Sequence, residues 1–383
     1  MPRFRFAWLG LVLLVVQPLL AKTYYVGGCK TGAYSTIGAA VAAVPSGSTI
    51  DVCPGTYPEQ VVISQPLTLQ GFASGGSSQA VIAMPASGLA TTSSISLGGT
   101  VAAQLEVTAG PVNVTGITVD GAAGASNCPG GYYLGIFYAS GASGIVNQVE
   151  TRSQNCNTSG IGILAENGAD TTTSVTIENS NVNNNTWAGI YACSPQSPST
   201  LNANIKSNAV QSIGYGIDSD CNVAGSVSGN FVDVSTGGLL GGGGFGIVAG
   251  SPSNAISGNF VIAGNVGIWA VAAGSHVSGN TITGGNDGIV IESTAVVTSN
   301  RIAKTAYDGI YLANPGGTIE TNFISQTPVG IEFNCLTGTV SGNTINGPGV
   351  GFDEFPGTSI GTNKFYTVAT LTTGCGSGSK AAR

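Results

Sequence analysis

Through the C-terminal half of the 383-residue chain, apolar residues come in runs of three to five, such as Ile289-Val290-Ile291, bounded by Gly, Asn and Ser. No helical periodicity runs through these segments, and short β-branched runs between turn formers predict strands. One element of the pattern keeps a fixed phase: Gly246-Ile247, Gly267-Ile268, Gly288-Ile289, Gly309-Ile310, Gly330-Ile331 and Gly351-Phe352 follow one another at intervals of 21 residues. Upstream, at Gly135-Ile136, Gly162-Ile163, Gly189-Ile190 and Gly216-Ile217, the interval widens to 27 or 30. A short period with one inward hydrophobe at constant phase is the mark of a solenoid whose repeat is a single turn. A coil of about 21 residues holds about three short strands, and coils paired in parallel about 4.8 Å apart would form an axis on the order of 60 Å long. The predicted fold is all-β, a single right-handed parallel β-helix.

A second series supports the same geometry. Asn181, Asn208, Asn259, Asn280, Asn322 and Asn343 each precede a repeat glycine by eight residues, and Asn300 by nine; Asn230 is separated from Gly246 by an insertion at 237–244. Asparagine tolerates left-handed backbone, and its amide both donates and accepts, so stacked copies can bond along the axis. Both series predict backbone geometry and core, with no catalytic role. At the N-terminal end, residues 35–44 carry apolar positions at helical spacing with Ser35 as the expected N-cap, halted by Pro45 and Gly47. Such a helix would cover the open end of the first coil.

Residues 1–21 read as a signal peptide: Arg3 and Arg5, an apolar run from Ala7 to Val16, and a small residue at Ala21. The expected organisation is therefore a signal peptide at 1–21, a β-helix at 22–370 and a tail at 371–383. The mature protein is expected to be secreted or periplasmic, free of the membrane, and monomeric. Removing Arg3 and Arg5 leaves 9 basic against 18 acidic residues, a net charge of −9. That charge disfavours nucleic acid and anionic membranes as partners. Eight cysteines fit an oxidising compartment. Their phase against the glycines places Cys128 and Cys156 one coil apart, and Cys193 and Cys221 likewise; Cys29 with Cys53 and Cys335 with Cys375 complete the expected pairs. With one histidine and no zinc-like spacing, the chain predicts no metal centre of that kind.

The string Tyr34-Ser35-Thr36-Ile37, Gly47-Ser48-Thr49-Ile50-Asp51-Val52, Pro54-Gly55-Thr56-Tyr57-Pro58-Glu59, Leu67-Thr68-Leu69-Gln70-Gly71 resembles the first coils of the pectin-lyase-like superfamily. The later Asn and Gly-Ile coils resemble NosD-like periplasmic β-helix proteins within it. The resemblance spans about 24–370 and implies the fold, with polysaccharide lyases, hydrolases, epimerases and binding proteins as the associated activities. The catalytic motifs of that superfamily do not carry over. Asn286-Asp287-Gly288 echoes one of them in part, His276 lies one coil earlier, and the Arg-Ile string of this chain is Arg301-Ile302-Ala303, where the family motif reads Arg-Ile-Lys.

Side chains alternate along a strand, so the residue after each inward Ile points outward. That column reads Phe137, Leu164, Tyr191, Asp218, Val248, Trp269, Val290, Tyr311, Glu332, Asp353. Tyr191, Asp218, Trp269, Tyr311 and Glu332 are the expected polysaccharide-binding residues: rings stack on sugar faces and carboxylates bond hydroxyls. Asp287 and Asp308, one coil or about 5 Å apart, have the separation of a retaining glycosidase pair and are the candidate catalytic residues. Stacked carboxylates could equally hold Ca²⁺; no other cofactor is implied. Three functions follow: an exported protein that binds polysaccharide on a lateral face, with or without cleavage; a polysaccharide lyase or glycoside hydrolase; or a structural or adhesive surface solenoid. Whether it is an enzyme is left open by the sequence.

Overall fold

A computed structural model describes residues 22–72, 79–122, 130–236, 243–252, 254–347, 349–356 and 360–375. The expected signal peptide at 1–21, most of the insertion (237–242) and Cys128 lie outside these residues. Each coil contributes one strand to each of three parallel sheets, of 13, 13 and 14 strands. The first sheet runs from Thr23–Val26 to Thr339–Ser341, the second from Gly55–Pro58 to Lys364–Tyr366, and the third from Val61–Ile63 to Thr370–Gly374. This is the right-handed parallel β-helix expected from the repeat.

The Gly-Ile series lies in the third sheet. Ile217, Ile247, Ile268, Ile289, Ile310 and Ile331 pair in unbroken register, ending on Phe352. All are fully buried and belong to one continuous core. The preceding glycine has a steric cause: a Cβ on Gly267 would overlap Ile282 Cγ2 from the facing sheet and the Gly288 carbonyl of the next coil. Close approach, with no unusual φ at this position, explains why the residue recurs.

The asparagine series forms a ladder at the turn from the first sheet to the second. Asn280 Oδ1 accepts from both the backbone N–H and the side-chain amide of Asn259, while its own amide donates to Asn300 Oδ1 and to Ile256 O. The same pattern links Asn208, Asn230, Asn259, Asn280, Asn300, Asn322, Asn343 and Asn363. Two expectations are corrected here. The left-handed residue is the one before the ladder position: Gly229, Gly258, Gly279, Ser299 and Thr321 have φ between 57° and 65°. Asn181 lies outside the ladder, exposed on a strand, and Ser180 takes the ladder place. A register irregularity between Val182 and Asn185 adds a residue to that coil, so counting back eight from Gly189 lands one position late.

The N-terminal helix spans Ile37–Ala43 and is capped by Thr36, whose hydroxyl accepts from Ala39 N–H, so the cap lies one residue later than Ser35. Glu59 reinforces the helix start by accepting the N–H groups of Ile37 and Gly38 at 2.8 Å each. Buried Ile37, Ala40 and Val41 close the core. Cys29–Cys53, Cys193–Cys221 and Cys335–Cys375 are disulfides, with Cα separations of 5.7, 5.2 and 5.5 Å. Cys156 is also disulfide-bonded.

Candidate functional site

The outward column of the third sheet has the predicted register, from Glu106 through Phe137, Leu164, Tyr191, Asp218, Val248, Trp269, Val290, Tyr311 and Glu332 to Asp353. Its exposure differs from the expectation of an open face. Phe137 and Leu164 are fully buried in a second hydrophobic cluster outside the main core, packed under Leu97. The cover is the segment around Thr92–Ser94, a strand antiparallel to Gly99–Val107. Glu166 holds that cover in place. Its buried carboxylate accepts from the hydroxyls of Ser94 and Ser96, both at 2.6 Å, and from the N–H groups of Ile95 and Ser96.

Beyond the cover the face opens onto a line of aromatic rings. Tyr132, Trp187, Tyr215, Phe245 and Trp269 follow one another with centroid separations of 5.6, 5.5, 5.3 and 5.2 Å; the last four come from successive coils, and Tyr132 reaches Trp187 across the intervening coil. Phe245 is stacked with both Tyr215 and Trp269, whereas Trp187 stands at 60–84° to Tyr132, Tyr191 and Tyr215. The stack therefore breaks at Trp187. A groove of about 360 Å³ opens there, lined by Tyr132, Trp187, Tyr215, Phe245, Thr158 and Ser159. Of the expected binding residues, Trp269 is half-buried at the end of this line, and Tyr191 packs beneath Trp187 with 6% exposure.

Asp218 pairs with Tyr191 and Val248 on adjacent strands and is only 8% exposed. Its Oδ1 is buried without a hydrogen-bond partner among the described residues. Burial, with Asp220 as a second cause, pushes its pKa up to about 8, so at neutral pH the group carries a proton. The same surroundings raise the Tyr191 phenol, by burial first and then by the charges of Asp218, Asp220 and Glu166; Tyr215 is raised by burial and by Asp218. Asp220 is half-buried, and its Oδ1 accepts the Cys221 N–H at 2.6 Å, beside the Cys193–Cys221 bridge.

The remaining candidates lie towards the C-terminal end. Tyr311 is half-buried, receives a hydrogen bond from the Asn334 amide at 3.3 Å, and neighbours Glu332, which is 2% exposed. Asp287 Oδ1 accepts the Asp308 backbone N–H at 3.3 Å, and the Asp308 side chain is fully buried. Asp308 and Asp218 are four coils apart along the sheet, roughly 19 Å. Asp287 shares a column with Tyr215 and Phe245 and sits on the strand next to that of Trp269, so the Asp287/Asp308 pair follows the end of the ring line and stands apart from Asp218. Among the described residues no group of three or more His, Cys, Asp or Glu stands together as a metal cage, so nothing adds to the Ca²⁺ reading.

Sequence reasoning missed Tyr132, Trp187 and Phe245. Their signal was an aromatic within three residues before Gly135, Gly189, Gly216 and Gly246, but the offset drifts from three (Tyr132) to two (Trp187) to one (Tyr215, Phe245) and Gly162 has none. A search at fixed phase passes over it.

Three all-parallel sheets around a continuous core define a right-handed parallel β-helix. A family model described as "Periplasmic copper-binding protein (NosD)" matches residues 236–368. The donors in that stretch do not fit copper: His276 is its one histidine, it contains no methionine, and Cys335 is in a disulfide. A lacto-N-biosidase of GH136 from Eubacterium ramulus is 10% identical, with 90% of this chain and 68% of that chain covered and a TM-score of 0.65. The A-module of the mannuronan C-5 epimerase AlgE6 from Azotobacter vinelandii is 16% identical over 88% of this chain and 94% of its own, with a TM-score of 0.46. At these identities the likeness is one of fold. No curated protein matches.

Proposed function

We propose that the protein is an exported carbohydrate-binding β-helix that takes a neutral polysaccharide lengthwise along the outer face of its third sheet. The observation that carries this is the line of five rings with centroids 5.2–5.6 Å apart, broken at Trp187 to leave a groove of about 360 Å³. Rings stack on the apolar faces of sugars, and the flanking Thr158, Ser159 and Tyr hydroxyls can bond the sugar hydroxyls. Trp269 belongs to this surface and Tyr311 extends it towards the C-terminal end, while Tyr191, Asp218 and Glu332 lie largely buried beneath it. The net charge of −9 disfavours polyuronates. The disulfides support export. The lacto-N-biosidase that shares the fold acts on carbohydrate, in keeping with this reading.

The test is affinity electrophoresis on a panel of neutral soluble polysaccharides. Replacing Phe245 and Trp269 together with Ala is expected to weaken retention about tenfold, equivalent to about 1.4 kcal/mol, without loss of the folded β-sheet signal. Unchanged retention by a folded variant would refute the groove and favour a structural or adhesive solenoid.

A cleavage reading is favoured by one observation, the buried Asp218 with its unpartnered Oδ1 and a pKa of about 8. A carboxyl that keeps its proton at neutral pH is suited to protonate a glycosidic oxygen. Asp220, two residues on and facing the same side about 7 Å along the strand, supplies the second carboxylate. Asp287 and Asp308 lie too far away to share that role. Product analysis with the wild type and Asp218→Asn decides the matter: cleavage that survives the substitution removes Asp218 from the chemistry.

A further inference from the structure

The second sheet carries an outer column of its own, and one step of it is empty. Phe231 and Phe260 sit opposite each other on neighbouring strands, both about half exposed, with centroids 5.6 Å apart and planes within 7°. The next residue of the column towards the N-terminus is Ala209, itself exposed, and the one after it is Asn181. Where a third ring would extend the stack there is only a methyl group. The resulting slot, about 290 Å³, is walled by the free face of Phe231 on one side and by Asn181 and Asn183 on the other, with Gln211 and Asp233 along its edge.

We infer that this slot is a second glycan site, which holds one neutral sugar ring stacked on Phe231 in the place that Ala209 leaves open. One missing ring between coils about 4.8 Å apart leaves the thickness of one flat ring, and a pyranose has an apolar face to set against Phe231. Its edge carries hydroxyls that both donate and accept, as do the amides of Asn181, Asn183 and Gln211. The lining includes no Lys or Arg, and Asp233 is the one acidic group, so an anionic sugar has no counter-charge there. The nearest guanidinium on this face, Arg152, is already paired with Asp120 and Glu150. A purine or another aromatic ring would fill the same thickness, but it would leave the polar rim partly unmatched. The site lies on a different sheet from the aromatic groove and does not depend on it.

Two substitutions act on the slot from opposite directions. Ala209→Phe completes the stack at an exposed strand position and fills the slot; Phe231→Ala removes its wall. Both are made in the full protein already carrying Phe245→Ala and Trp269→Ala in the groove. Binding of neutral hexasaccharides of glucose, mannose, xylose and galactose is followed by saturation-transfer NMR and calorimetry. The groove-disabled protein is expected to bind at least one of the four, and each slot substitution to weaken that binding about tenfold or more. No binding by the folded groove-disabled protein, or binding that Ala209→Phe leaves unchanged, overturns the inference and leaves the groove reading standing. A concentration-dependent dimer in sedimentation velocity that disappears with Phe231→Ala also overturns it, by assigning the ring pair to contact between copies.

Discussion

The coils before residue 237 and those after 245 share one core and differ in what surrounds it. The later coils are 21 residues long and consist of little more than three strands and three turns. The coils between Gly135 and Gly246 are 27 or 30 residues long, and the one from Val61 to Leu105 that carries the cover is 44. The cover over Phe137 and Leu164, four of the five ring-line aromatics and the groove lie in them or at their boundary. The described ion pairs Arg152–Asp120, Arg152–Glu150 and Lys206–Glu178 also lie there. A coil of minimal length closes the solenoid and carries short turns; the extra residues of the longer coils build the surface on which a ligand can rest. Regularity marks the scaffold here, and departure from regularity marks the site.

The sharpest way to break this comparison is at the ladder. Asn280→Leu removes bonds to Asn259, Asn300 and Ile256 from a buried turn and leaves their polar groups unsatisfied. A loss of about 3–5 kcal/mol is expected from the denaturation midpoint. Asn181→Leu, on an exposed strand position outside the ladder, is expected to cost under about 0.5 kcal/mol. Equal effects at the two positions would show that the ladder is not what holds the regular half.

In the longer coils the corresponding device is Glu166. Glu166→Ala removes four hydrogen bonds to the Ser94–Ser96 segment, and about 2–3 kcal/mol of local stability should go with them. Hydrogen exchange should rise at 94–97 and leave the coils after 245 unchanged. If protection falls along the whole solenoid instead, cover and scaffold are one cooperative unit.

Asp218 gives an effect that depends on pH. Its folded pKa of about 8 lies above the ordinary value of 3.8, so the folded state binds the extra proton between these limits. Its contribution is fully present below about pH 4 and is lost as the pH rises to about 8, by at most about 1.4 kcal/mol per unit. Asp218→Asn should flatten that decline in thermal melts recorded from pH 4 to 8; an unchanged slope would mean that the carboxyl is already ionised. The smallest effect is expected at Lys206→Ala. The Lys206–Glu178 pair is largely solvent-exposed on the Lys side, and its loss should cost no more than about 0.5 kcal/mol.

Much of this molecule is legible in the chain because its fold repeats a local steric rule. A glycine at each coil in van der Waals contact with the next coil, an inward Ile beside it and an amide at each first turn leave a period that needs no tertiary information to read. The expected outward column and the Cys193–Cys221 pairing follow from that period alone, since register in a one-turn repeat is simply a count of residues. Exposure does not follow from counting. The sequence places Phe137, Leu164, Tyr191, Asp218 and Glu332 on an outer face, but only the packed molecule shows how little of them meets solvent. The segment that covers the first two is joined through Glu166, about 70 residues away in the chain. Tertiary structure likewise assembled the ring line, because Tyr132, Trp187 and Tyr215 reach a common line with Phe245 from three different phases. The burial that keeps a proton on Asp218 has the same origin. Periodic backbone contacts are encoded one coil at a time, whereas burial and site electrostatics depend on which distant segment happens to lie on top.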